Sequence, residues 1–238
     1  MAFDKLIFED HFDGDSINRD NWKFEIGFIR NHEPQYYTDR PCNIYLKDSM
    51  LHIVTLREDY EGAKYTSASI NTMGKYNCLY GRVEMRAKLP FSKGLWPAFW
   101  MMPENSTYGG WPNSGEIDIL EFVGYMPGVV HGTVHTGKYN HMIGTQKGTK
   151  TDLASCSDEF HTYSLEWTPE RIDIAVDGNV YFSFENDGAG DTGTWPFNHP
   201  FYIIMNVAFG GGWGGAEGVD YSVLPCEMQV DWVRVYQK

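Results

Sequence analysis

The chain is expected to be all-β, a two-sheet antiparallel sandwich. Short runs of alternating apolar and polar residues recur along it, Gly, Pro, Asn and Asp punctuate them, and no segment carries a long helical period. Each such strand has one apolar face to bury, and two sheets laid face to face bury them all.

In chain order, the run 51 to 56 is the first strand-like segment. Residues 82 to 89 alternate strictly, with Val83, Met85, Ala87 and Leu89 on one face and charges on the other, as in a half-buried antiparallel strand. In Trp96-Pro97-Ala98-Phe99-Trp100, an extended backbone puts Trp96 and Trp100 on one face. Runs at 131 to 135 and 161 to 167 follow. Ile172, Ile174 and Val176 then lead into Asp177-Gly178 and the run 180 to 184, which predicts a hairpin because Asp-Gly suits a two-residue turn. Further runs lie at 201 to 208 and 228 to 236. Gly109-Gly110 and Gly210 to Gly215 are loops; Trp213, alone among the second set of glycines, either anchors its loop or offers a face to a sugar.

The most informative stretch is Gly115-Glu116-Ile117-Asp118-Ile119-Leu120-Glu121-Phe122. On a regular strand Glu116 and Asp118 share a face, but Glu121 is an odd number of residues from Glu116 and would enter the apolar face, where an unpaired carboxylate is costly. One extra residue, a β-bulge near Ile119 or Leu120, returns Glu121 to the face of the other two. Three acids on one face raise and separate each other's pKa values, so that one can donate a proton while another stays ionised. Cleavage of a glycosidic bond needs that division of labour. The two Glu Cα atoms would lie about 13 Å apart at a rise of ~3.3 Å per residue, which leaves retaining and inverting geometries both open. The interleaved Ile117, Ile119, Leu120 and Phe122 argue against a solvated acidic edge or a calcium loop.

At 238 residues, with no linker, repeat or low-complexity run, one domain over residues 1 to 238 is the expectation. A formal net charge of -13 opposes nucleic acid as a partner and favours a neutral polymer over an anionic one. Aromatic content of 16% supplies flat apolar faces of the kind on which sugars stack. Cys42, Cys78, Cys156 and Cys226 are far apart and read as core thiols, with two disulfides the alternative. No run approaches the ~20 apolar residues of a membrane span. The start of the chain lacks a secretory pattern, so an extracellular protein whose signal has been removed and a cytoplasmic one are both expectations, the first preferred. His135, at the end of a strand-like run, is either a structural histidine or a site residue.

Four motifs, Gly115 to Glu121, Gly94 to Trp100, Tyr80 to Glu84 and Val230 to Tyr236, resemble glycoside hydrolase family 16 in its laminarinase-like branch, and their order and spacing agree from about residue 6 onward. The resemblance implies a jelly-roll sandwich, like that of concanavalin A, with an open cleft on its concave face. It also implies endo-acting, retaining hydrolysis of β-1,3 or mixed-linkage β-glucan by a monomer without an organic cofactor. By position, Glu116 would be the nucleophile, Glu121 the general acid/base and Asp118 the acid between them. Trp96, Trp100, Trp111 and His135 would flank the cleaved bond, and Asn43 would hydrogen-bond sugar hydroxyls; Trp213 stays a candidate substrate contact from its place in the glycine loop. One structural calcium is implied on the convex face, held by carbonyls at Glu9 and Ser49 and by the carboxylate of Asp231. Ser69 stands where many laminarinases carry Arg, which puts mixed-linkage glucan beside pure β-1,3-glucan as a substrate. A glucan-binding module and a transglycosylase on the same fold are the alternatives.

Overall fold

The computed structural model describes residues 3 to 238. Two sheets make up the fold. In the ten-stranded sheet the main path runs Asn179–Glu185, Arg171–Val176, His161–Trp167, Gly81–Lys88, Cys226–Gln237, Met50–Tyr60, Ala63–Ser67 and Gln35–Tyr37. Lys5–Asp10 pairs with Cys226–Gln237, and Ile44–Lys47 with Met50–Tyr60. The seven-stranded sheet runs Lys147–Asp152, Val129–His135, Glu116–Phe122, Leu95–Pro103, Phe201–Phe209, Ser69–Asn71 and Lys23–Phe24. Pairing is antiparallel throughout except between Gln35–Tyr37 and Ala63–Ser67, which run parallel.

Every expected strand is present. Gly81–Lys88 alternates buried and half-buried along its whole length, with Val83, Met85 and Ala87 inaccessible. Asp177 and Gly178 have φ of 49° and 76°, the positive values that a tight hairpin turn of this length requires, and Val176 pairs with Asn179 across it. The core forms where inward side chains of the ten-stranded sheet, such as Met85 and Leu165, meet Phe99, Met101, Ile117 and Phe122 of the seven-stranded one.

Lys147–Asp152 carries no apolar pattern, and none was expected there. It pairs residue for residue with Val129–His135 and stands exposed at the sheet edge, where Lys147 and Lys150 discourage pairing with another chain. All four cysteines are free; Cys78 and Cys156 are buried, whereas Cys42 is exposed and Cys226 half-buried, so the core-thiol reading holds for two of the four. Among the described residues no helix is long and apolar enough to cross a membrane.

The bulge lies in Glu116–Phe122. Against Leu95–Pro103, Asp118 pairs with Trp100 and Leu120 with Phe99, two residues to one, so Ile119 is the extra residue. Against the other neighbour, Asp118 pairs with Thr133 and Glu121 with His131. Ile119 and Leu120 are both fully buried, so consecutive side chains enter the core and the next one, Glu121, emerges on the outer face. Ile119→Ala should therefore lower the unfolding free energy by roughly 2–5 kcal/mol, as for other large-to-small core changes. A urea titration measures it, and a loss under about 1 kcal/mol would mean that the extra residue is not held by packing.

Candidate active site

Glu116 and Glu121 look outward from the seven-stranded sheet into a cleft of about 1240 Å³, with Asp118 buried between them on the same face. Gly115 sets the strand's entry: its φ is +88°, and a Cβ there would lie 2.9 Å from Phe197 Cε1 and 3.0 Å from Pro196 Cγ. Only glycine meets both conditions without strain.

The three acids occupy different surroundings. Trp111 Nε1 donates to Glu116 Oε2 at 2.6 Å, and Trp96 Nε1 donates to Glu121 Oε1 at 3.1 Å. Asp118 lies between them, 2% exposed. His135 Nε2 is 3.4 Å from Asp118 Oδ2 and 3.8 Å from Glu116 Oε1. The 3.4 Å approach lacks hydrogen-bond geometry, and Asp118 Oδ2 has no hydrogen-bond partner among the described residues. Ligand atoms of Glu116, Asp118 and His135 lie within 4.8 Å of one another, a spacing that a cation could use. The two indole donors aimed at separate glutamates suit acid–base chemistry equally.

Burial raises all three acids above the ordinary carboxylate range. For Glu116 the charge of Asp118 adds to burial, while His135 and the Trp111 indole pull back. Asp118 is raised chiefly by burial. Glu121 is raised by burial and then by both other acids, with His135 and Trp96 opposing. The protons belong to the group as a whole. Glu116 is the acid nearest His135 after Asp118 and holds the shorter indole bond, two influences that favour its ionised form. Glu121 feels both other charges, as a proton donor should.

Of the other expected contacts, Trp96, Trp213 and His135 line the cleft. Trp213 meets Trp96 edge-on at 5.3 Å and His131 edge-on at 5.2 Å, so this loop residue belongs to the cleft wall. Trp111 is 37% exposed and lies against His141, ring centroids 4.9 Å apart.

Trp100 differs from expectation. It shares the face of Asp118, but its indole donates to Asn206 Oδ1 at 2.8 Å and the Arg30 guanidinium sits 5.0 Å over its ring, leaving it 9% exposed. A cation already occupies the surface that a sugar would use. Asn43 is not a sugar contact. It is wholly buried: its amide donates to Val54 O and Thr66 Oγ1, and its oxygen accepts from Thr38 and Arg40.

Arg30 also bears on Ser69. Its guanidinium donates to Glu25 at 2.5 and 2.6 Å, and Ser69 Oγ donates to Glu25 Oε2 at 2.5 Å. The cleft thus has a guanidinium beside Ser69, neutralised by Glu25, although Ser69 brings none.

Sequence reading missed His131, His141, Met142 and Lys150, all of which line the cleft, whereas Arg30, which lines it too, lies in the stretch Arg30 to Glu33 that resembles the family without a role attached. His131 had a signal, since it shares strand parity with Thr133 and His135. The others come from loops or the polar edge strand, where no periodicity marks them.

At the expected calcium position, Ser49 has φ 54°, the left-handed conformation that glycine would adopt there. Arg86 donates to Asp231 Oδ2, so the carboxylate is paired with a guanidinium in this structure. An Asp oxygen with two main-chain carbonyls is a donor set that suits calcium.

Raised carboxylate pKa values fix the sign of one stability effect. The protonated buried acid stabilises the fold below the unfolded value of ~4.3, and that contribution is lost as pH rises through the folded value, about 8 for Glu116. Glu116→Gln should therefore raise Tm, by more at pH 8 than at pH 4.5. Thermal melts across that range test it; a gain that does not grow with pH would contradict the burial argument.

Comparison with known proteins agrees with this geometry. The sequence profile of Glycosyl hydrolases family 16 matches residues 31 to 234. A beta-glucanase from Rhodothermus marinus is 46% identical over 98% of this chain and 85% of its own length. The X-ray structure of the laminarinase from that organism superposes with a TM-score of 0.95 at 46% identity, covering 98% of this chain and 97% of that one. SCLam, a non-specific endo-beta-1,3(4)-glucanase crystallised as a mutant with 1,3-beta-D-cellobiosyl-glucose at the active site, gives a TM-score of 0.94 at 44% identity, covering 100% of this chain and 97% of that one. Acid triad, cleft and likeness over nearly the whole length agree, and the chain belongs to glycosyl hydrolases family 16.

Proposed function

We propose that the chain is an endo-acting, retaining β-glucanase that cleaves β-1,3 bonds, or β-1,4 bonds in mixed-linkage glucan, by double displacement. The observation that carries this reading is the bulge, which puts Glu116, Asp118 and Glu121 on one face with a separate indole donor on each glutamate. In the first step Glu116 attacks the anomeric carbon while Glu121 gives its proton to the glycosidic oxygen, and the shortened chain leaves. In the second, Glu121 takes a proton from water, whose oxygen displaces Glu116 and restores the β configuration. Asp118 and His135, beside Glu116, adjust its charge through the cycle.

A cleft of about 1240 Å³ has room for several sugar units, which supports attack on internal bonds. Arg30 is neutralised by Glu25, and the chain's net charge is -13, which favours a neutral polymer over a sulfated or uronic one, with Lys150 as the cation in the cleft that opposes this preference. The enzyme would act as a monomer and outside the cell, where a polymer of this size is found. A calcium ion at the carbonyls of Glu9 and Ser49 and the carboxylate of Asp231 would tie the first strand, the Asp48-Ser49 turn and the last strand together, without a part in the chemistry.

Glu116→Ala should cut release of reducing ends from laminarin by about a thousandfold or more, as expected for loss of a nucleophile. Wild-type turnover in that variant would refute the assignment. Wild-type digests of laminarin, lichenan and carrageenan, sized side by side, test the substrate: cleavage of the sulfated polymer alone would overturn the neutral-glucan reading, and products longer than the input would indicate transglycosylation. Stripping calcium with a chelator should lower Tm and re-addition should restore it, because an ion that binds only the folded chain stabilises it by mass action. An unchanged Tm would exclude the calcium site.

A further inference from the structure

The wall of the cleft beside Glu121 contains a polar group that the two-step chemistry does not use. His131 pairs with Glu121 across the strands and with Lys150 on its other side, so the three side chains share one face. Its ring lines the cleft and stands edge-on to Trp213 at 5.2 Å. Trp213 in turn meets Trp96 at 5.3 Å, and Trp96 donates to Glu121. Nε2 of His131 is buried and has no hydrogen-bond partner among the described residues. An unmet buried polar atom costs about 1–3 kcal/mol, and at the wall of a binding cleft a ligand hydroxyl is the partner that would relieve it. Burial and the neighbouring Lys150 hold the imidazole's pKa down at about 4. It therefore stays neutral where a glycosidase works, with one ring nitrogen to donate and one to accept.

The position along the strand assigns the sugar. His135 is the neighbour of Glu116, Thr133 of Asp118 and His131 of Glu121. The acid/base must touch the glycosidic oxygen, so His131, its direct neighbour across the strands, stands beside the sugar that departs with that oxygen. We propose that His131 is a specificity-determining residue for the leaving-group sugar, hydrogen-bonding a hydroxyl of the pyranose that Trp213 flanks. This inference rests on the β-glucanase reading above.

The test compares two substrates with the same two sugars on the glycone side of the cleaved bond: laminarin, whose leaving group is a sugar, and an aryl β-laminaribioside, whose leaving group is a phenol. His131→Ala should lower kcat/KM on laminarin about tenfold, as for loss of one hydrogen bond, and leave the aryl substrate within about twofold. His131→Gln, which keeps a donor and an acceptor, should recover part of the loss. Equal losses on both substrates would show a merely structural role, and no loss on either would remove His131 from the binding surface; both overturn the proposal. If both variants fail to fold, the assigned imidazole resonances of the wild-type protein decide: a His131 shift on titration with laminaribiose supports the contact, and none refutes it. Should the wild-type protein cleave neither substrate, the β-glucanase reading fails, an outcome separate from any behaviour of the variants.

Discussion

The constraint on which the rest depends is the parity of one strand. Glu116–Phe122 has the hydrophobic core on one side and the cleft on the other, and its side chains must be sorted between them two by two. A regular strand with this sequence would drive a carboxylate into the core. With Ile119 as the extra residue, two neighbouring aliphatics enter the core and the third acid emerges. The flanking strands follow from the same register: it sets Trp100 and Thr133 beside Asp118, and His131 beside Glu121.

Grouping three acids under partial burial acts against stability and in favour of chemistry. Desolvation is the first cause of the upward displacement in each of them, and in the two glutamates repulsion by neighbouring acids adds to it. The molecule counters this with donors held on neighbouring elements. The Trp96 indole comes from the adjacent strand, and that of Trp111 from the loop before the acid strand. The small cluster of Ala98, Trp100 and Ile204 on the outer face gives the floor of the cleft packing of its own.

The parts of this arrangement that were legible in the sequence are those governed by alternation. Val83, Met85 and Ala87, the Asp177-Gly178 hairpin and the bulge itself follow from period two and from the cost of burying charge. Lys147–Asp152 escaped because its strand state comes from pairing with Val129–His135 and from no pattern of its own. His141 and Met142 escaped because loops carry no period. Asn43 and Trp100 had the right chemistry in the wrong surroundings. A buried amide that satisfies Val54, Thr66, Thr38 and Arg40 reads the same in one dimension as an amide that waits for a sugar. Residue type is local information, whereas availability depends on what folds over it, as Arg30 does over Trp100.

The bulge also bears on how this strand tolerates changes in length. Removing Ile119 would leave Glu-Ile-Asp-Leu-Glu-Phe, in which the three acids again stand at every second position and a flat strand suffices. The acid face would survive the loss of a whole residue, although replacing the same residue by a polar one would place that group in the core. Deletion at this point leaves the acid/base opposite Ala98 and His131, because the extra residue takes no place in the pairing with either neighbouring strand. The strand can thus vary in length at a position where it cannot readily vary in character.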